Sequence, residues 1–489
     1  MGSLFCFGSD ALQVLAHPTL SRSLDESALA DYLTGHLEDP GSSFFRGIRS
    51  LPPAHRLVAT AGGDRTVRYW DIPAAPETCA DGSRSPEGTF LEIFRQAVAD
   101  RLRTPGNVGV AMSGGLDSCS VAAVAHRIAG SSGQRIRACS LVFDLLPDCD
   151  ERPYIRAMSE ELGVEVEPFL ADSLWDLEVG PRHNLDSPFP GWPSCYGLML
   201  ERLTSLGGGV LLTGHGGDDL FRGSPLVHAD RLRQGDLGAL SGVLRCARHH
   251  RESSWRTFYR LIWQPLFPRI DHVLRRALLR QSPSLAPQWL APGFVRRTRD
   301  AEPRKSRVPD FGSRSLAARQ IYDNTLLIPW YRRIVHWHDR NAAAYGIEVR
   351  HPFLDRRLFE HVLSIPPALL HEPGSYKPFL RRTMKGVLPE AVRCRPTKTR
   401  FRSFLDFVLQ ERERHRIESL LVDSRSSRLG IINAGELRSA FQRFCEGTAP
   451  AEWRGPLWYA VTLELWLRRL ENLVGEFELG EAEAEEAAA

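Results

Sequence analysis

Between Phe90 and Thr213 the apolar positions alternate between helical spacing and short unbroken runs. Phe90–Leu102 carries apolar residues at helical spacing and predicts an amphipathic helix. Val108–Met112 is an apolar run long enough for one buried strand and too short for a helix. Helical spacing returns from Leu116, with Leu116, Val121, Val124 and Ala125 on one side. The same alternation predicts strands at Ala138–Phe143, Val164–Phe169 and Val210–Thr213, with helices at Tyr154–Leu162 and Tyr196–Leu206 between them. Strands interleaved with helices predict an α/β fold, a parallel sheet covered on both faces.

The flanks read differently. Residues 1 to about 80 predict a small α+β unit: a helix over Asp25–Leu37, then strands at Leu57–Thr60 and Thr66–Trp70 joined by a Gly62-Gly63-Asp64 hairpin signal. Ala74–Pro86, rich in Pro, Ala, Asp and Ser, reads as a linker into a larger domain over 88–475. Residues 224–325 interrupt that domain, with helical patterns at Leu237–His249, Trp255–Trp263 and Ile270–Leu279, then a Pro/Arg-rich run, Ser282–Arg314. Helical spacing resumes at Leu326–Trp337 and closes with Trp453–Leu470. The acidic, alanine-rich end (479–489) is expected to be disordered.

Composition narrows the class. A chain of 489 residues, 43% hydrophobic and 25% charged, is that of a soluble globular protein with two to three domains. Its net charge of +3 is too small to indicate a partner. Nine scattered cysteines contain no Cys-x-x-Cys pair, so neither a disulfide framework nor a zinc site is indicated. No apolar run has membrane-spanning length and no signal peptide is seen, so the expectation is a cytoplasmic protein without a membrane partner. The insertion mixes arginines with Trp255, Phe258, Tyr259 and Trp263. Nucleic-acid binding is one reading of that mixture, and a surface for a peptidic substrate another. A helix pair with a solvated basic face is commoner, and no nucleic-acid partner is expected.

The candidate chemistry lies at two strand ends. After Val108–Met112 comes Ser113-Gly-Gly-Leu-Asp-Ser118. A strand, a glycine turn and a helix start leave backbone N–H groups aimed at one spot, where the helix dipole also favours an anion. Gly114 and Gly115 allow a phosphate close to the backbone, and Ser113 and Ser118 add hydroxyls. Asp117 beside a phosphate implies a bridging Mg²⁺. The strand Val210–Thr213 leads into Gly214-His-Gly-Gly-Asp218, a second glycine loop with a carboxylate. Gly214 and Gly216 would approach the phosphates, and Asp218 would share the Mg²⁺ with Asp117. Ligands in such sheets bind beyond the carboxyl ends of the strands, which makes Val142 a candidate adenine neighbour. Of 62 basic residues only four are lysines, at 305, 377, 385 and 398.

The Ser113–Ser118 loop resembles the pyrophosphate loop of the N-type ATP pyrophosphatases. It differs from a Walker A loop, which would carry Gly-Lys-Ser/Thr. The runs Arg340–Asp355, Ser375–Arg381 and Arg393–Phe401 narrow the resemblance to the asparagine synthetase superfamily. That resemblance implies ATP as cosubstrate, cleavage between its α and β phosphates, and an adenylated carboxylate that an amine converts to an amide. It also implies that Lys398 stabilises the tetrahedral intermediate. His215 stands where asparagine synthetases carry a glutamate near the reacting carboxyl; hydrogen-bonded to Glu348 it would be a base poised near neutral pH. A salt bridge from Glu348 to Arg350 or Arg340 is the plainer alternative for that glutamate.

The first segment is similar to the last third of the family's glutaminase domain. Position 2 is Gly and Cys6 is internal, so glutamine hydrolysis is not expected from it. These departures resemble the β-lactam synthetase and lasso-peptide cyclase branches, where the amine lies within the substrate. The insertion favours the peptide cyclase, with a precursor peptide and a companion protease as partners. The other readings are an asparagine synthetase with an incomplete N-terminal domain, a tRNA-thiolating pyrophosphatase, which would need a catalytic cysteine pair, and an inactive scaffold.

Overall fold

In the computed structural model, residues 4–35, 41–71, 85–173, 185–188, 193–271, 287–299, 315–326, 329–396 and 398–480 are described. The expected linker over 74–84, the tail over 481–489, the helical pattern over 272–279 and most of the run 282–314 lie outside them.

Nine strands are found among these residues: β1 (Ser23–Asp25), β2 (His55–Thr60), β3 (Gly63–Arg68), β4 (Asn107–Ala111), β5 (Ile136–Val142), β6 (Glu165–Leu170), β7 (Gly208–Thr213), β8 (Glu348–Arg350) and β9 (Glu478–Gly480). Five of them form the central sheet in the order β6-β5-β4-β7-β8, all parallel. The strand order reverses around β4 and β7, so the loops leaving these two strands open onto one crevice.

Strand periodicity sorts the sheet's side chains to two faces. Val108, Val110, Ala138, Val142, Val210 and Leu212 join one core with Phe90 and Phe94 and the helix Leu116–Ser132. Cys139 and Leu211 join another with Leu200, Leu203 and Trp337. The predicted parallel sheet with helices on both faces is therefore the observed architecture.

A third core ties the two ends of the chain together. β1 pairs in parallel with β9, Ser23 opposite Glu478. Leu24, Leu29, Phe44 and Phe45 pack with Leu463, Trp466 and Phe477. The closing helix runs Arg454–Val474, and Tyr32 donates its hydroxyl to the Pro188 carbonyl at 3.0 Å while lying 2.6 Å from Thr462 Oγ1. The first segment thus packs onto the larger domain. The hairpin β2–β3 forms where the glycine signal placed it, largely exposed.

The stretch read in the sequence as an insertion, 224–325, begins with helices Val227–Arg233 and Ala239–His250. The predicted helix over 255–263 is split, with an α-helix at Ser254–Phe258 running into a π-helical turn at Tyr259–Trp263. No described helix is long and apolar enough to cross a membrane, and the eight described cysteines are free.

Candidate functional site

Beyond the ends of β4 and β7 lies a cavity of about 690 Å³. Its floor is made by two glycine loops that touch. A Cβ on Gly214 would sit 2.7 Å from the Ser118 nitrogen, and one on Gly217 2.5 Å from Asp117 Cγ. Only glycine permits this approach. Gly216, at φ +98°, turns the second loop but does not line the cavity, whereas Gly214 does.

In the first loop Ser113 and Ser118 hydroxyls lie 3.0 Å apart, and the Gly115 N–H donates to Ser113 Oγ at 3.2 Å. The helix Leu116–Ser132 starts at Gly115 without a side-chain cap, which suits its N-terminus to an anion. The Gly114 N–H donates to Glu151 Oε2 at 3.0 Å, and Arg395 bridges Glu151 and the Gly114 carbonyl. Both Glu151 and Arg395 are buried and line the cavity. The buried ion pair therefore sets the loop's shape. Arg395 falls in the run Arg393–Phe401, but its pairing with Glu151 is not legible in sequence, because nothing local links position 151 to 395.

Asp117 and Asp218 do converge. Lys377 lies between them, with Nζ bonded to Asp117 Oδ2 and 2.7 Å from Asp218 Oδ1. It is fully buried and held in a left-handed conformation at φ 54°. A non-glycine residue there carries backbone strain, of the kind concentrated at functional sites. Lys398 bonds Asp218 Oδ2 and Tyr376 donates its hydroxyl to Asp218 Oδ1. Burial acts to raise the Asp218 pKa, but Lys377 and Lys398 together outweigh it and hold the carboxyl well below its usual range. Burial raises that of Asp117, with Lys377 opposing and Asp218 reinforcing. Burial, aided by Asp218, lifts Asp219 to about 6.

Two expected placements differ. Glu348 does not meet His215. It opens β8 opposite Val210, at the start of the parallel pair, and it is His351 beyond the end of β8 that reaches Thr213 at 2.6 Å. The Glu348 carboxylate is 64% exposed and bonds Arg350 at 2.6 Å. The plainer alternative holds for this residue. Val142 faces the core opposite the cavity, and Leu141 lines the cavity in its place, as the two-residue period of a strand requires.

The partner of His215 is His338, with Nε2 atoms 2.9 Å apart. With both rings neutral, one donates its Nε2–H and the other accepts at Nε2. Burial drives His215 down to about 4 against the pull of Asp218, and drives His351 to about 3 with His215 adding to it. His338 is held well below 6.5 by burial, then by the other two rings. The expected poise of His215 near neutrality is thus not found, because burial is not offset by a carboxylate partner. These depressed imidazoles leave the unfolded chain binding more protons below pH 6.5, so stability falls from there towards pH 4. Asp219 works in the opposite sense below about 6. Thermal melts between pH 7 and pH 5 should show a falling Tm, and His338→Gln should flatten that dependence. An unchanged slope in His338→Gln would remove the triad from the account.

The walls above the loops are aromatic and come from distant parts of the chain. Tyr32 is from the first segment; Phe401 and Phe404 follow the Lys398 run; Trp458 and Tyr459 are on the closing helix.

The asparagine synthase profile matches residues 89–468. The chain belongs to the asparagine synthase family. Residues 1–70 match the glutamine amidotransferase domain. Asparagine synthetase [glutamine-hydrolyzing] 3 of Bacillus subtilis is 24% identical over 405 residues, covering 80% of this chain and 60% of the relative. Asparagine synthetase [glutamine-hydrolyzing] 2 of the same organism is 26% identical over 415 residues, 80% and 50% respectively. Amidase chyE of Penicillium rubens is 26% identical over 219 residues, 40% and 31%. The chain thus spans about half the length of the curated relatives it matches, up to 60% of the first. The matched synthase region contains both glycine loops, Lys377 and Lys398.

Proposed function

We propose that this chain is an ATP-dependent amide ligase that adenylates a substrate carboxylate and joins it to an amine within the same, peptidic substrate. The observation that carries the reading is the cavity itself: an anion-suited loop floor with two lysines at its acidic edge, under a wall of aromatic side chains. A carboxylate oxygen attacks the α-phosphorus, the bond to the β-phosphate oxygen breaks, and pyrophosphate leaves. The amine then attacks the acyl carbon, AMP leaves with the electron pair of the broken acyl–oxygen bond, and the amine's surplus proton passes to solvent.

Each group has a place in this. The Ser113–Ser118 loop and the Gly214 loop receive the phosphates. Asp117 and Asp218 are hard oxygen donors of the type that suits Mg²⁺, and Asp117 Oδ1 is buried without a hydrogen-bond partner. A Mg²⁺ held there would offset charge on the phosphates. Lys377 and Lys398 bring ammonium groups to the same edge. Lys398, the more exposed of the two, is assigned the oxyanion of the tetrahedral intermediate. His215 and His338, neutral and hydrogen-bonded, orient the substrate amine and accept a hydrogen bond from it.

The aromatic wall argues for an acyl substrate larger and more apolar than aspartate. Trp458→Ala should raise the KM for such a substrate by roughly 10- to 100-fold, the scale of losing one buried aromatic contact, with the KM for ATP unchanged. The second reading, asparagine synthesis, is favoured by the names of the two Bacillus relatives. Substrate-dependent release of pyrophosphate, measured with aspartate and with a panel of peptides, separates the two. Release with aspartate alone would overturn the peptide reading.

A further inference from the structure

Away from this cavity, the described residues bring together one group of thiol and imidazole donors. His228 lies on the helix Val227–Arg233, Cys246 on Ala239–His250, and His371 just beyond the helix Pro367–Leu370. The first two fall in the stretch 224–325 and the third in the segment that leads to Lys377. Cys246 Sγ is 3.9 Å from His228 Nε2 and 4.0 Å from His371 Nε2, and the three donor atoms all lie within 4.8 Å of one another.

The surroundings are shaped for this group. A Cβ at Gly242, one turn before Cys246, would lie 2.1 Å from His228 Cε1. The bare helix backbone at Gly242 therefore accommodates the imidazole ring. His228 and Cys246 are buried, and His228 Nδ1 has no hydrogen-bond partner. The ring's polar contact is through Nε2, towards Cys246. A thiol–imidazole contact near 3.9 Å is weak, so these buried polar atoms are poorly satisfied as they stand. Burial raises the Cys246 thiol pKa, while Arg245 and Arg260 oppose it and favour the thiolate.

We propose that His228, Cys246 and His371 bind a Zn²⁺ ion that fastens the insertion to the loop carrying Lys377. One thiolate with two imidazoles is a borderline-soft donor set, and no carboxylate belongs to the group, which disfavours Mg²⁺ and Ca²⁺. Zinc bonds of about 2.3 Å to sulfur and 2.0–2.1 Å to nitrogen place tetrahedral donors roughly 3.3–3.6 Å apart. Closing the two Cys246 contacts to these takes about half an ångström, and the two imidazole nitrogens, no more than 4.8 Å apart, approach by at most about 1.5 Å, within side-chain reach. Binding displaces the Cys246 Sγ–H proton to solvent and leaves a fourth position for water. Sequence spacing gives no sign of the site, since its ligands come from three separate helical segments and lack any paired motif.

The site also has a structural consequence. From His371 the chain makes a tight turn closed by the Glu372–Ser375 bridge, with Gly374 against the His249 ring. It then delivers Tyr376 and Lys377 to the acidic edge of the cavity. Zinc at His371 would restrain that turn from its far end.

The test uses the full-length chain, stripped of metal with a chelator and titrated with Zn²⁺ against a chromophoric zinc indicator. One equivalent should bind and raise Tm. Co²⁺ should bind in its place with a thiolate-to-metal charge-transfer band. Cys246→Ser should abolish that band and weaken Zn²⁺ binding by about tenfold or more; Cys445→Ser, on a different helix, should retain both. His371→Gln, at the half-buried ligand, keeps the thiolate but should weaken Zn²⁺ and Co²⁺ binding by a similar factor, which serves should Cys246→Ser fail to fold. Absence of stoichiometric Zn²⁺ binding, a Co²⁺ band that survives Cys246→Ser, or an unchanged Zn²⁺ affinity in His371→Gln would overturn the proposal.

Discussion

Lys398→Arg should lose roughly 10²-fold or more of amide formation, the scale on which removal of one oxyanion stabiliser is felt, while ATP still binds. Lys398 reaches Asp218 from the rim of the cavity and is about half exposed, so a cation of either kind can occupy the rim without disturbing the core. The difference lies in charge distribution. Lysine presents a compact ammonium to one oxygen, whereas the guanidinium spreads its charge over a planar fork. A chain that uses arginine for nearly all its positive charge keeps lysine here. Lys385→Arg, at an exposed turn position, should be near neutral and is the control. Amide yield and ATP affinity measured on both variants decide the matter: near-normal turnover in Lys398→Arg would remove Lys398 from the chemistry.

Lys377→Met should be more damaging still. Lys377 is buried between Asp117 and Asp218 and compensates both. Removing one partner of a buried ion pair leaves charge uncompensated and costs about 3–5 kcal/mol. Part of that cost is avoided if a proton moves onto Asp117, which already favours it. We expect a Tm lower by several degrees, a stability that recovers as pH falls towards the carboxylate range, and no measurable pyrophosphate release. A Lys377→Met protein with wild-type stability would show that the ion pair contributes nothing to the fold. Full activity in the same variant would sink its role in binding phosphate.

The parts of the site that could be read in the sequence were those fixed by local chain geometry. Ser113–Ser118 and Gly214–Asp218 announced themselves because a strand end, glycines and a helix start are contiguous, and the parallel sheet followed from the alternation of periods around them. The parts that could not be read depend on where distant strands come into register. Glu348 and His215 seemed a natural pair, yet the short strand β8 places Glu348 at its outer end and His351 at the inner one. Val142 and Leu141 were separable only once the facing of β5 was known. Lys377 was visible as a rare lysine, but its burial between two carboxylates depends on a left-handed backbone turn that no residue preference predicts. Likewise β1 and β9, from opposite ends of the chain, are too short to carry a strand signal.

In the proposed reaction the loops handle ATP by cleavage between the α and β phosphates. The most direct test is to resolve the nucleotide products of one turnover with a peptide substrate in hand. AMP and pyrophosphate, formed in equal amounts with the amide and lost in Asp117→Asn, are the expected result. ADP and inorganic phosphate would contradict it.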